Sequence, residues 1–384
     1  MTSLRLGILA AVLTAASVAC SSGPGAIPPA SHGSPAADAV QRNAAAATPS
    51  PTPAPLVVGP GRKYTTIASA LAASHDGDTI DVVSGTYTND FSYVYHRVTI
   101  DGVGGMVKMV ATVPPPNLKG FFVVEDGLTV RNFEFSGVAI PASDGNNGAA
   151  IRAEGGNLIV QFCYFHDNQD GILAPENLTP STSSIEIDRS EFSHNGAGDG
   201  YSHNLYIGPI KQLSFWHSYS HDAVVGHELK SRAKTNYIEE STFSDGANGD
   251  ASYEIDVPNA GVALIEHDVI EKGPHAQNPA AIHYGGETQY GWATNGLTIA
   301  SNVIINNDGS NATAVLNQSA VNGLTVTAQL SLNKLYGFGP THVVSGLANV
   351  LSNNVINPSA AAAPAIDTTA PWAVAPVLPI PPGT

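Results

Sequence analysis

Short stretches with alternating apolar positions recur through the middle of the chain. The segment LTVRNFEF, which begins at Leu128, recurs as LIVQFCYF from Leu158 and as IEIDRSEF from Ile185. The copies end at Phe135, Phe165, Phe192, Tyr219, Phe243, Ile270 and Ile304, which lie 24 to 34 residues apart, and weaker copies follow around Leu335 and Ile356. A repeat of this length, built from short strands, predicts one coil of a solenoid per copy, with alternate residues inside.

Stacked coils of parallel strands form a β-helix, so the predicted fold is an all-β, right-handed parallel β-helix over residues 56–357. A TIM barrel or a doubly wound sheet needs long amphipathic helices between its strands, and the hydrophobic pattern shows none. Ahead of the repeats, Ile67, Ala70 and Leu71 fall on one helical face. This pattern predicts a short N-terminal helix that closes the apolar end of the solenoid, followed by a strand that ends in Gly85-Thr86-Tyr87. That order resembles the N-terminal cap of parallel β-helix proteins.

The two ends of the chain have a different character. Arg5 precedes the apolar run Leu6–Leu13, which is too short to span a bilayer, so residues 1–20 are predicted to be an export signal peptide. Ala19 and Cys20 follow in an order that resembles a bacterial lipoprotein signal, which makes a lipid on Cys20 the expected form of any membrane attachment. Residues 21–55 and 358–384 are rich in Pro and Ala and are predicted to be a disordered linker and tail. The mature chain is expected to be monomeric and to lie outside the cytoplasm: secreted, periplasmic or anchored at the cell surface.

Composition and charge limit the partners. The formal net charge is −16, which argues against nucleic acid, because phosphate binding needs clustered Lys and Arg. An acidic protein that binds an acidic polysaccharide needs a local basic patch or a bridging divalent cation. Cys163, the one cysteine besides Cys20, lies in an apolar run and is predicted to be a small buried side chain rather than half of a disulfide.

Polar residues at one register of four consecutive repeats define the candidate site. Stacked coils place equivalent residues about 4.8 Å apart, so a site in a solenoid takes the form of a ladder of side chains. With Leu205, Leu229, Ile255 and Ile282 inside, the outward residues on one face are Asn204, Tyr206, Glu228, Lys230, Arg232, Glu254, Asp256 and His283. A solvated face is the plain alternative, but a chain with only 12% charged residues has no need to concentrate them at one register.

This set of side chains matches the needs of β-elimination on a uronate-containing polysaccharide. The reaction has to neutralise a carboxylate, remove the adjacent proton and protonate the leaving oxygen. Lys230 is the predicted base, with the neighbouring cation Arg232 favouring its neutral form, and Arg232 is also placed to clamp the substrate carboxylate. Tyr206 is the predicted proton donor or sugar-stacking residue, and His283 completes the catalytic set.

A calcium ion is the predicted cofactor of this site. Asn204, Glu228 and Glu254 offer hard oxygen ligands on adjacent coils, and they are the predicted Ca²⁺ ligands. The ion would cancel their negative charge and hold the substrate carboxylate. The predicted substrate-binding residues are His203, His227, Asp256 and Asn259.

The same region resembles a known family. The segment Glu228-Leu229-Lys230-Ser231, with Asn236-Tyr237 and Ser241-Thr242-Phe243 after it, is similar to the alginate lyase and chondroitinase B group of the pectate-lyase-like parallel β-helix superfamily. The resemblance implies that Lys230 is the base and that Asn204 and Glu228 lie near metal positions. The group also has an Arg on the next coil and a second metal-ligating Glu. Here Tyr253-Glu254-Ile255-Asp256 stands on the next coil, so Arg232 would have to substitute for the missing Arg.

Three other functions remain open from the sequence. Glu254 and Asp256 lie two residues apart on one face, with carboxyl groups roughly 6–7 Å apart, which suits the acid and base of a glycoside hydrolase assisted by His283. A non-catalytic glycan-binding protein at the cell surface would need no base at all. A transition-metal site would need the four residues His203, His217, His221 and His227 together, but the second and third are predicted to face another side of the coil.

Overall fold

The computed structural model describes residues 54–176, 181–287, 290–309 and 312–382. The predicted signal peptide and nearly all of the predicted linker therefore lie outside the described residues. These residues form one compact unit, in which the strands pair in parallel and stack coil upon coil in three ladders. The predicted parallel β-helix is confirmed, since each strand pairs with its equivalent one repeat further along the chain. Among the described residues, no helix is both long and apolar enough to cross a membrane.

Most coils contribute one strand to each ladder, and the long strands Thr79–Thr88 and Val98–Val110 run through both the first and the second ladder. The first ladder comprises Leu56–Val58, Thr79–Thr88, Val98–Val110, Gly127–Arg131, Asn157–Gln161, Ser184–Asp188, Gln212–Trp216, Thr235–Glu239, Val262–Glu266, Gly296–Ala300, Ala328–Ser331 and Ala348–Val350. The second ladder comprises Phe133–Ser136, Tyr164–His166, Glu191–Ser193, Tyr219–His221, Thr242–Ser244, Val269–Lys272, Val303–Asn306, Lys334–Tyr336 and Val355–Asn357. The third ladder comprises Ser92–Val94, Gly120–Val124, Ala149–Ala153, Asp170–Leu173, Leu205–Ile207, Leu229–Ser231, Ile255–Val257, Ala280–Tyr284, Thr313–Asn317 and Val344–Ser345.

The eight-residue segment that recurs in the sequence is two strands rather than one. Asn132, in the first copy, has a φ of 62° and turns the chain from the first ladder into the second. The equivalent residues also have left-handed backbone, and they are Phe162, Arg189, His217, Glu240, His267, Ser301 and Leu332. Because no glycine marks this corner, the alternation of apolar residues runs through it in the sequence without a visible break.

Buried polar side chains at equivalent positions of successive coils stabilise this corner. Ser190 Oγ accepts a hydrogen bond from the backbone N–H of Cys163, and Ser218 Oγ accepts one from Ser190 in turn. The same pattern continues through Asp268, Asn302 and later coils. Each side chain satisfies a backbone donor of the preceding coil, so the buried corner leaves these N–H groups paired. Cys163 is fully buried, as predicted.

A short helix, Ile67–Leu71, precedes the coils at the predicted position. Its buried residues Ile67, Ala70 and Leu71 belong to the core, and the carboxylate of Asp90 accepts hydrogen bonds from the N–H groups of Ile67 and Ala68. Its role as a cap of the solenoid stays a prediction. The remaining helical turns are short 3₁₀ segments, at Ala142–Asp144, Ser319–Asn322, Pro340–His342, Ala360–Ala362 and Pro371–Val374.

The C-terminal segment, predicted to be a disordered tail, packs instead against the earlier coils. Trp372 Nε1 donates a hydrogen bond to Glu191, and the carbonyl of Leu378 accepts one from Gly104 at 2.8 Å. The carbonyl of Pro381 accepts one from Arg62, so the segment reaches back to the first coil. Its prolines lack an N–H donor, so it cannot build a full ladder of its own, but its carbonyl oxygens remain available to the coils. Composition alone does not reveal these long-range contacts.

Candidate active site

Four predicted site residues stand in register on the third ladder. Tyr206 pairs with Lys230, Lys230 with Asp256, and Asp256 with His283. The neighbouring residues Leu205, Leu229, Ile255 and Ile282 are fully buried. Alternation along these strands therefore turns the polar set away from the apolar core, as the repeat predicts.

Two cations share one carboxylate in this site. Lys230 Nζ lies 2.9 Å from Glu287 Oε1, and Arg232 Nη1 lies 2.5 Å from Glu287 Oε2. The Lys230 and Arg232 side chains are only 11% and 6% exposed, whereas that of Glu287 is 43% exposed. Arg232 also donates to Asn259 and to the hydroxyl of Tyr206, the latter at 3.1 Å. The guanidinium is therefore held in place by several acceptors, and Asn259 positions it from the buried side.

Asp256 lies behind Lys230 and is the buried anion of the site. Its Oδ2 is 3.2 Å from Lys230 Nζ and 3.4 Å from His227 Nε2, and its Oδ1 is 2.7 Å from His283 Nδ1. Burial opposes ionisation, but the hydrogen bond from His283 and the positive charge of Lys230 outweigh it and hold the pKa of Asp256 well below its usual range. The group is therefore a carboxylate that fixes Lys230.

Gln318 and Gly286 cover His283 on the side that faces away from Asp256. His283 Nε2 lies 3.0 Å from Gln318 Oε1, and a Cβ atom built on Gly286 would lie 2.6 Å from the same nitrogen. Only glycine allows the backbone to pass this close. His283, predicted to be catalytic, is thus buried between Asp256, Gln318 and Gly286, where it orients Asp256 and has no open face for a ligand.

Five aromatic rings stack along the site. Tyr206, His203, His227, Tyr253 and His283 follow one another with centroid separations of 5.5, 4.7, 5.4 and 4.8 Å. His203 Nδ1 and His227 Nδ1 each accept a backbone N–H, at 2.9 and 3.0 Å. Burial lowers the pKa of His227 to about 4 and that of His203 well below its usual range. Both imidazoles are therefore neutral, with the proton on Nε2.

The open side of this arrangement is a cleft of about 600 Å³. Of the predicted residues, His203, Tyr206, Lys230 and Arg232 line it, together with residues that the sequence reasoning missed: Asn147, Arg152, Leu173, Pro175, Glu176, Gly200, Tyr201 and Glu287. Arg152 pairs with Leu173, which pairs with Tyr206, so extending the same register two coils back would have found it. Glu176 and Glu287 follow third-ladder strands on loops, where no repeat marks them.

Tyr206 and Glu176 meet at the edge of the cleft. The Tyr206 hydroxyl donates to Glu176 Oε2 at 3.0 Å, and Tyr290 donates to the other oxygen of the same carboxylate at 2.7 Å. Burial raises the pKa of Tyr206 to about 12, even though Arg232 favours its ionised form. Arg232 Nε lies 3.5 Å from Glu176, so one guanidinium contacts both acidic loop residues.

The predicted calcium ligands are placed differently from the prediction. Asn204, Glu228 and Glu254 are fully buried, because they precede the strands at a corner where the alternation breaks down and the side chains turn inward. Asn204 donates its amide hydrogens to Ser220 and to Glu228, and a Glu228 oxygen accepts the backbone N–H of Ala223. Burial raises the pKa of Glu228 to about 8, and burial together with Glu228 raises that of Glu254 well above its usual range.

This set does not fit Ca²⁺, which prefers ionised oxygen ligands open to a common centre. Among the described residues, no group of three or more His, Cys, Asp and Glu side chains is arranged to hold a metal ion. The four-histidine alternative fails on position: His217 contacts Asp188 and His221 contacts Glu191, away from the stacked His203 and His227. The hydrolase pair fails as well, since neither carboxylate oxygen of Glu254 reaches the cleft surface.

Two solved β-helix structures share this architecture. An alginate lyase from Paenibacillus sp. str. FPU-7 matches with a TM-score of 0.51 and 16% identity, over 74% of this chain and 96% of that one. Pectate lyase Pel9A matches with a TM-score of 0.52 and 14% identity, over 81% of each chain. Neither a known family model nor a curated protein sequence matches the chain. The chain is a parallel β-helix protein. The parallel β-helix predicted from the sequence is the fold that it shares with these two structures, and identities this low show the fold alone.

Proposed function

We propose that the chain is an exported lyase that cleaves a uronate-containing polysaccharide by β-elimination in the cleft around Tyr206, Lys230 and Arg232. The observation that carries the proposal is that two nearly buried cations, Lys230 and Arg232, converge on one carboxylate in an open cleft. Such a pair fits the C6 carboxylate of a uronate. Neutralising that group makes the C5 proton more acidic, which is the first requirement of the reaction.

Proton transfer is assigned to Tyr206 rather than to Lys230. Lys230, the base predicted from the sequence, has its Nζ 3.2 Å from Asp256 and 2.9 Å from Glu287, so two ion pairs already engage this nitrogen. Tyr206 accepts a hydrogen bond from Arg232, a cation that stabilises a phenolate. Besides burial, Glu176 raises the pKa of this phenol, so a ligand that displaces Glu176 favours ionisation.

The elimination then needs only these groups, once the Tyr206 phenol has lost its proton to solvent. The Tyr206 phenolate removes the C5 proton, and the C5 electron pair forms the C4–C5 double bond as the C4–O4 bond breaks. The departing O4 takes a proton from the Tyr206 phenol, which regenerates the phenolate. Lys230 and Arg232 hold the carboxylate and stabilise the negative charge that develops on it.

The proposed chemistry does not rely on Ca²⁺. Lys230 and Arg232 supply two positive charges at the substrate carboxylate, the same charge that a divalent ion would supply. The predicted calcium ligands are buried inside the coil and do not line the cleft. Activity is therefore expected to withstand a calcium chelator.

An ultraviolet assay tests the proposal, because elimination leaves an unsaturated sugar that absorbs and hydrolysis does not. The wild-type chain is mixed with alginate, pectate and other uronate polysaccharides, with and without chelator. We expect an absorbance rise on at least one polymer, and a loss of about 10²–10⁴-fold in kcat for Tyr206→Phe. Tyr237→Phe, outside the cleft, is the matched control and should retain full activity.

Three other results of this assay would contradict the proposal. No absorbance with any uronate polymer, together with retained binding, would favour the non-catalytic glycan-binding alternative. New reducing ends without absorbance would indicate hydrolysis. Inactivation by chelator would contradict the metal-independent mechanism and would indicate that the reaction requires a metal ion in the cleft.

A further inference from the structure

Glu287 occupies the position in the cleft that an incoming carboxylate needs. Its two oxygens bind separate cations, one at Lys230 and one at Arg232, so the group bridges them as a bidentate ligand would. It is also the most exposed member of the three, which places it between the cations and solvent.

The charges of the site support a ligand role for this position. Lys230 and Arg232 carry two positive charges, and the buried Asp256 compensates one of them from behind. Without the Glu287 carboxylate, Lys230 would keep only Asp256, and Arg232 only the longer contact with Glu176 at 3.5 Å, so the two nearly buried cations would lose the acceptor they share. A carboxylate supplied by a ligand restores the balance as well as Glu287 does.

The backbone at Glu287 is anchored, so only its side chain has to move. The Glu287 N–H donates to the carbonyl of Pro258 at 2.8 Å, and its carbonyl accepts from Asn322 Nδ2 at 2.6 Å. A side-chain rotation into solvent is a change of rotamer rather than a rearrangement of the loop.

We propose that Glu287 is an internal mimic of the substrate carboxylate, and that it marks the Lys230–Arg232 pair as a subsite for the carboxylate of an acidic sugar. The inference rests on the proposed function and adds to it a residue that sets affinity by competing with the substrate carboxylate. A ligand has to displace Glu287, so the wild-type chain binds acidic sugars more weakly than its cations would allow. Neutral or esterified sugars gain nothing from the displacement.

A binding experiment tests this without using turnover. Calorimetry measures the affinity of wild type and Glu287→Gln for trisaccharides of galacturonate, mannuronate, guluronate and glucuronate, and for their methyl esters. We expect Glu287→Gln to bind at least one acid about tenfold more tightly than wild type, a difference of about 1.4 kcal/mol, since the variant lacks the carboxylate that competes for both cations. The esters should show no such gain.

A matched control separates displacement from a general change of charge. Glu154→Gln removes a carboxylate that pairs with Arg152, which also lines the cleft, and leaves Lys230 and Arg232 untouched. Equal tightening in both variants, or equal tightening for acid and ester, would overturn the inference. So would unchanged or weaker binding of every acid by Glu287→Gln.

The outcome is independent of the lyase assay. Tighter binding of an acid by Glu287→Gln without any unsaturated product would uphold the carboxylate subsite and reject the lyase. Unsaturated product from wild type without tighter binding by the variant would uphold the lyase and reject the mimic.

Discussion

Asp256 Oδ1 and His283 Nδ1 lie 2.7 Å apart behind the cleft, and both side chains are almost fully buried. The contact fixes the Asp256 carboxylate so that its other oxygen faces Lys230 at 3.2 Å. His283 has no free nitrogen toward the cleft, because its Nε2 faces Gln318. The histidine therefore acts on the reaction through Asp256 and Lys230 rather than by touching the substrate.

Substitution of His283 distinguishes positioning from proton transfer. Asn at this position places an amide nitrogen close to where Nδ1 stands, so His283→Asn should keep the hydrogen bond to Asp256 and retain most of the activity. His283→Ala removes the bond and should lower kcat/KM about 10–100-fold, the worth of a hydrogen bond to a charged group. Steady-state kinetics and the pH profile of both variants provide the measurement. Equal loss in the two variants would show that the imidazole itself transfers a proton.

The residues that stand in register on the strands of the site could be predicted from the sequence. The corner residues that turn inward and the loop residues that reach the site could not. Tyr206, Lys230 and Asp256 follow from one alternation repeated on successive coils, because stacked parallel strands keep their register. Glu228 belongs to the same sequence pattern but turns inward, since it stands at a corner before the strand begins. Glu287 lies on a loop with no period, so only the fold brings it to Lys230.

The inward turn of Glu228 has a consequence for stability. Burial raises the pKa of Glu228 from 4.5 to about 8, so the folded chain keeps this proton while the unfolded chain loses it. Stability is therefore lost as the pH rises from about 4.5 to 8, at up to about 1.4 kcal/mol per pH unit. Glu228→Gln removes this dependence.

We expect the Tm difference between Glu228→Gln and wild type to shift in favour of the variant from pH 5 to pH 8 and to change little above that. Thermal unfolding at each pH gives the measurement, with Glu125→Gln, at an exposed turn, as control. A difference that does not change with pH would show that Glu228 is ionised in the folded chain. A Tm rise on adding Ca²⁺ that the variant lacks would restore the metal-ligand prediction.

His221, on the second ladder, contributes stability through a charged form, whereas Glu228 does so through a neutral one. Burial disfavours its charged form, but hydrogen bonds with Asp222 and Glu191 outweigh this and raise the pKa of His221 to about 9. A raised histidine pKa contributes stability that is complete below about 6.5 and is lost as the pH rises to about 9. His221→Gln should flatten the fall of Tm in that window, whereas His75→Gln, at an exposed site, should not. A fall of the same steepness in His221→Gln would contradict the charged imidazole.

Trp372 fastens the C-terminal segment to the coils. Its indole stacks on Tyr164 at 5.8 Å between ring centroids, and its Nε1 donates to Glu191 at 2.7 Å. Trp372→Ala should lower the free energy of unfolding by about 2 kcal/mol, the sum of one aromatic contact and one hydrogen bond to a charged group. Trp372→Phe keeps the stacking and should lose about half as much. Denaturant unfolding of both variants, beside a chain truncated after Asn357, tests whether the segment stabilises the solenoid. A truncated chain as stable as wild type would show that residues 358–384 are the dispensable tail which their composition predicts.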